Sequence, residues 1–176
     1  MDPYERYTRR SLRDTLVAEG VLTNEQADEL IESAYETSEP FGSVLVESGY
    51  LTAWDLMGKV AATYQMPVMP LEGYRLDLEL VREVPSTLLY QFQMLPLARF
   101  GQVWTWVAAT PPTKDSIDAL RERCGPAHFF YVGDMVQVQR LLQENVQVVD
   151  VGADAGWTDI FDHGDEAVQE EIGTEG

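Results

Sequence analysis

The sequence predicts an α+β fold: an N-terminal pair of repeated helical hairpins packed with a small β-β-α-β-α layer. Three observations carry this. Residues 11–34 and 40–63 repeat one pattern, with Gly20 and Gly49 29 residues apart. Near Met94 the apolar period changes from helical to alternating. Beyond it, two helical stripes flank a short apolar run at residues 128–132. An internal repeat fixes half of the architecture at once.

Each copy reads as a short helix, a glycine break and a longer helix. In the first, Leu12, Leu16 and Val17 form one apolar face, and Gly20 stands where a left-handed C-terminal residue belongs. Thr23 opens the next helix with Gln26 in capping-box position. Ala27, Leu30, Ile31 and Ala34 then follow at i, i+3, i+4 and i+7. In the second copy Pro40 is placed in the first helical turn, where its missing N–H costs nothing. Phe41, Val44 and Leu45 make the face, Gly49 ends it, and Thr52 caps a helix carrying Leu56, Val60, Ala61 and Tyr64. Neither hairpin can bury its stripe alone, so the two are expected to pack together.

Residues 66–74 contain two prolines and read as extended linker or edge strand. Short helices are expected at residues 77–84 and 86–92. Alternation around Phe100-Gly101 predicts a hairpin of strands near 94–99 and 103–108. On the second strand Trp104 and Trp106 share a face, read as core or subunit contact. Ile117, Leu120 and Cys124 place a helix over 115–124, ended by Gly125-Pro126. Residues 128–132 then form a short buried strand, and Asp134 caps a last helix with Met135, Val138, Leu141 and Leu142 inward. The organisation is thus residues 1–75 as the duplicated helical subdomain, 76–147 as the α/β subdomain and 148–176 as an acidic, disordered tail. Trp157, Ile160 and Phe161 interrupt that tail as a candidate partner-binding cluster.

Charge narrows the function classes. The net charge is −18, and after Gln147 there are nine acids and no Lys or Arg. Duplex nucleic acid needs clustered cations, so no nucleic-acid partner is expected. The one basic concentration is Arg6, Arg9, Arg10 and Arg13, read first as a solvated helix face and second as an anion contact. No signal-like or spanning apolar run occurs, which predicts a soluble, cytoplasmic chain without membrane insertion. The single Cys124 allows neither an internal disulfide nor a metal cluster, and His128, four residues on, shares no helical face with it across Gly125-Pro126. Gly58-Lys59-Val60 lacks the other elements of a P-loop. No catalytic residues, metal or cofactor are expected, and the chain is not read as an enzyme.

The repeated unit, its five-residue spacer at 35–39 and the downstream run from Pro85 through Met94-Leu95-Pro96-Leu97 to Pro111 resemble a known family. It is the N-terminal domain of type II secretion and type IV pilus assembly ATPases, most closely the MshE N-terminal type that binds cyclic di-GMP. The family motif uses Arg at its first position and Gln at its last to face the nucleotide. Here those positions hold Ser11 and Pro40, and Ala34 and Thr63, while the third-position glycine survives only as Gly42, with Arg13 in the first copy. The apolar positions are retained. A charge-assisted hydrogen bond contributes about 1.5–3 kcal/mol, so losing two Arg contacts removes roughly 3–6 kcal/mol. About 4 kcal/mol turns a micromolar ligand into a millimolar one.

The resemblance therefore implies a non-catalytic regulatory or adaptor module. Its expected partner is a protein of a secretion or pilus machine, such as an assembly ATPase or an associated component. The alternative is a cyclic di-GMP receptor with diverged contacts, whose ligand-facing positions would be Arg10, Leu12, Arg13, Ile31, Phe41, Gly42 and Val60.

Overall fold

The computed structural model describes residues 2–148. A short helix α1 (Glu5–Arg9) precedes the two hairpins, α2 (Leu12–Ala18) with α3 (Asn24–Thr37) and α4 (Phe41–Glu47) with α5 (Ala53–Tyr64). Helices α6 (Leu78–Arg82) and α7 (Ser86–Phe92) lead into β1 (Met94–Phe100) and β2 (Val103–Ala108). Helix α8 (Lys114–Cys124), strand β3 (Ala127–Val132) and helix α9 (Met135–Asn145) complete the described residues. The mixed α+β architecture is the expected one.

The repeat is built by the same local chemistry twice. Gly20 and Gly49 adopt φ of +74° and +77°, the left-handed region in which a Cβ is costly. The Thr23 hydroxyl accepts from the Gln26 N–H while the Gln26 side chain accepts from the Thr23 N–H, a complete capping box. Thr52 likewise accepts from the Asp55 N–H. Pro40 differs from expectation. At φ −61° and ψ 142° it is the extended residue just before α4, outside the first turn.

Equivalent apolar positions are buried alike: Leu16 and Leu45 are fully inaccessible, as are Ala27 and Leu56. The two stripes meet each other and then the sheet, so one continuous core runs from Tyr4 to Val146. The sequence reading did not delimit α1. Its anchors, Tyr4 at the N-cap and Tyr7, are buried edge-on against Phe130 of β3.

The sheet order is β1-β2-β3, antiparallel between the first pair and parallel between the second. The parallel step is the β2-α8-β3 crossover, and a β-bulge between Pro96 and Ala98 shifts the register on β1. The 66–74 segment contributes one further bridge, Val68 beside Val132, at the edge of β3. The run at 128–132 is not buried throughout: Phe129 is 37% exposed while His128, Phe130 and Val132 point inward.

Trp104 and Trp106 stack at 5.5 Å on the inner face. The Trp106 Nε1–H donates to His128 Nδ1 at 3.0 Å. Indole can only donate, so Nδ1 must carry a lone pair. The other ring nitrogen, Nε2, therefore holds the proton and donates to the Gly125 carbonyl at 2.6 Å. Tyr4 closes the network, accepting from the His128 N–H at 2.7 Å and donating to the Pro126 carbonyl at 2.9 Å. Cys124 packs beside the core with its thiol pushed up by burial, a structural residue like His128.

Burial pushes the His128 pKa below the ordinary value of about 6.5, and the Arg121 charge adds to this. Below that pH the unfolded chain binds a proton that the folded chain refuses. The His128 contribution to stability is thus fully present above about pH 6.5 and declines as pH falls through the folded-state pKa. Against His128→Gln as a baseline, the wild-type advantage in urea midpoint is expected to shrink between pH 7.5 and 5.5. A constant gap across that range would contradict this role.

Candidate functional site

The two hairpins leave a cleft where α2 and α4 begin. Its first cavity, about 320 Å³, is lined by Arg10–Arg13, Ile31, Pro40–Gly42, Tyr64 and the Thr110-Pro111 turn with Thr113. A second, about 440 Å³, continues past Ile31 and Phe41 to Tyr35, Glu39 and Asp115. Ile31, Pro40, Phe41, Thr110, Pro111 and Thr113 line both, while Arg10 and Arg13 line only the first and Glu39 and Asp115 only the second.

Short-range physics sets each wall. Tyr64, buried at the end of α5, accepts the Leu12 N–H at 2.8 Å and so satisfies one of the free amides of α2. Gly42 lets the Thr110-Pro111 turn close against α4: a Cβ there would lie 2.8 Å from Thr110 Cγ2 and 3.2 Å from Leu56 Cδ2. Thr113 caps α8 through a reciprocal box with Ser116, fixing the chain just past the turn.

The two cations of the first cavity are not equivalent. Arg13 donates to Asp28 through Nε at 3.0 Å and Nη2 at 2.6 Å, and to Asp14 through Nη1 at 3.0 Å. Those carboxylates, Asp28 first, hold its proton more firmly than usual. Arg10 has one hydrogen bond among the described residues, from Nη1 to the Thr63 carbonyl at 2.9 Å. A guanidinium has five N–H groups, so Arg10 retains donors for an anion and Arg13 has few left.

Of the seven sequence candidates, Arg10, Leu12, Arg13, Ile31, Phe41 and Gly42 line this cavity. Val60 does not; it is fully buried beneath, in the core. Trp157, Ile160 and Phe161 and the acidic tail lie outside the described residues. Tyr64, Thr110, Pro111 and Tyr35 were not among the candidates, because they fall outside the positions where the family motif contacts its ligand. The spacing of the duplication could have singled out Tyr35 and Tyr64, which are also 29 residues apart. Among the described residues no group of His, Cys, Asp or Glu could hold a metal ion, and no helix is long and apolar enough to cross a membrane.

Residues 64–150 match the MshEN domain family. The chain carries an MshEN domain. The matched span begins at the end of the duplicated helices and covers the α/β half, which includes the downstream run from Pro85 to Pro111 that shared in the resemblance. The MshEN fold also overlays on a structure of MshE with cdg (cyclic di-GMP), with a TM-score of 0.57 and 20% identity over 77% of this chain and 99% of that one. Two crystal forms of the N-terminal domain of XpsE are similar. One has a TM-score of 0.52 at 18% identity, covering 74% of this chain and 90% of that chain. The other has 0.58 at 18%, covering 78% and 94%. At such identities these neighbours establish the fold. No curated protein matches the chain.

Proposed function

We propose that this MshEN domain is a non-catalytic regulatory module whose cleft takes a cyclic dinucleotide of the cyclic di-GMP class. One observation carries the reading: six candidate residues from both repeats line one cavity, with Arg10 holding unused donors at its rim. The similar fold of MshE with cdg supports the same ligand class. The apolar floor of Leu12, Ile31 and Phe41 suits flat bases, and Arg10 suits a phosphate oxygen. The affinity is expected to be modest, because Arg10 must exchange its bond to Thr63 and Arg13 is held by Asp28.

Calorimetry with cyclic di-GMP tests this. Saturable binding that weakens about 10-fold or more in Arg10→Ala is the expected result, that loss being worth about 1.4 kcal/mol. Absence of heat up to millimolar ligand would remove the reading. A protein partner from a secretion or pilus machine, such as an assembly ATPase in the cytoplasm, is the second reading. It is favoured by Phe100, Val103 and Phe129, which stand exposed on the sheet, Phe100 paired with Val103 and Phe129 with Thr105. Capture of the cognate ATPase that fails with Phe100→Glu would support it.

A further inference from the structure

We propose that the cleft reads its ligand unsymmetrically, taking one phosphate at Arg10 and a guanine base at the opposite end, over Tyr35 and beside Glu39. This rests on the cleft being a nucleotide site. The duplication makes the two ends pseudo-equivalent: with a 29-residue offset, Arg10 corresponds to Glu39 and Tyr35 to Tyr64. Both pairs have been turned to opposite uses. Arg10 places a cation in the first cavity, whose lining contains no acid. Glu39, with Asp115, places carboxylates in the second, whose lining contains no cation. Tyr64 is buried and committed to the Leu12 N–H, whereas Tyr35 is 84% exposed in the second cavity.

A two-fold ligand with two phosphates meets attraction at one end and repulsion at the other. A guanine nucleotide laid lengthwise meets neither conflict. Its phosphate accepts from Arg10, its ring lies on Tyr35, and its N–H edge donates to a carboxylate that can only accept. Ile31, Phe41 and Pro111 line both cavities and would carry the apolar middle.

The test titrates guanosine 5′-monophosphate and cyclic di-GMP into the wild type, Glu39→Arg and Tyr35→Ala. Both positions are exposed, and the Glu39 carboxylate accepts only from Thr37 among the described residues, at 3.3 Å, so the variants are expected to fold. Wild type should bind the two ligands within about 5-fold of each other. Glu39→Arg should tighten cyclic di-GMP about 10-fold at low salt, less at high salt, and leave the monophosphate no tighter. Tyr35→Ala should weaken the monophosphate about 10-fold.

A wild-type preference for cyclic di-GMP above about 50-fold, or equal tightening of both ligands by Glu39→Arg, overturns the inference. Binding of cyclic di-GMP by Glu39→Arg alone would overturn the inference, since the natural chain would then hold neither ligand. Silence from every protein with both ligands would overturn the inference together with the cleft reading.

Discussion

Trp106→Ala is expected to lower stability by about 3–5 kcal/mol, much of what a domain of this size possesses. Trp106 is fully inaccessible and lies in the middle of the central strand, stacked on Trp104. Deleting its ring opens a cavity that close-packed neighbours fill only in part. The change also removes the donor to His128 Nδ1, leaving a buried acceptor unpaired beside the Tyr4 network. Trp106→Phe separates the two effects, keeping much of the volume while losing the N–H, and should cost about 1–3 kcal/mol. Urea unfolding of the three proteins measures both steps. A loss below about 1 kcal/mol for the alanine variant would mean that Trp106 does not anchor the sheet's inner face.

The repeat was legible because its punctuation is chemical. Gly20 and Gly49 take the positive φ that their position demands, and Thr23 with Gln26 forms the box that the spacing announces. The strands were legible from alternation, and the tryptophan pair from its shared face. Helix α1 was not, since five residues give too short a stripe and four arginines nearby suggest solvent. Only the tertiary contact of Tyr4 and Tyr7 with Phe130 makes it.

At the cleft, motif position was a good guide to place but a poor one to exposure. Ile31 and Val60 are equivalent in the repeat, yet Ile31 lines the cleft and Val60 is fully buried, because the two helices meet different neighbours. Glu39 and Tyr35 were passed over as spacer. The role proposed for them follows from which cavity the spacer borders, a fact of packing that no local pattern encodes.

Gly42→Val is expected to destabilise the domain by about 3 kcal/mol and to disturb the cleft as well. In a helix, removing glycine alone would favour folding by roughly 0.5–1 kcal/mol. Here the added Cβ would sit 2.8 Å from Thr110 Cγ2 and 3.2 Å from Leu56 Cδ2, and valine adds two methyl groups to a Cβ that is already too close. Overpacking costs about 1–3 kcal/mol per site, and a β-branched side chain on α4 has little rotameric freedom to escape. Either α4 or the Thr110-Pro111 turn must move, and that turn lines both cavities.

The smaller change makes the cause separable. Gly42→Ala alone should destabilise, and Thr110→Ser, which deletes the clashing methyl, should recover most of the loss. A double-mutant cycle should then give a coupling within the 0.5–3 kcal/mol range typical of residues in contact. Strict additivity would show that the glycine matters for some reason other than the approach of the turn. Coupling would establish that one missing Cβ holds the second repeat against the loop that closes the cleft.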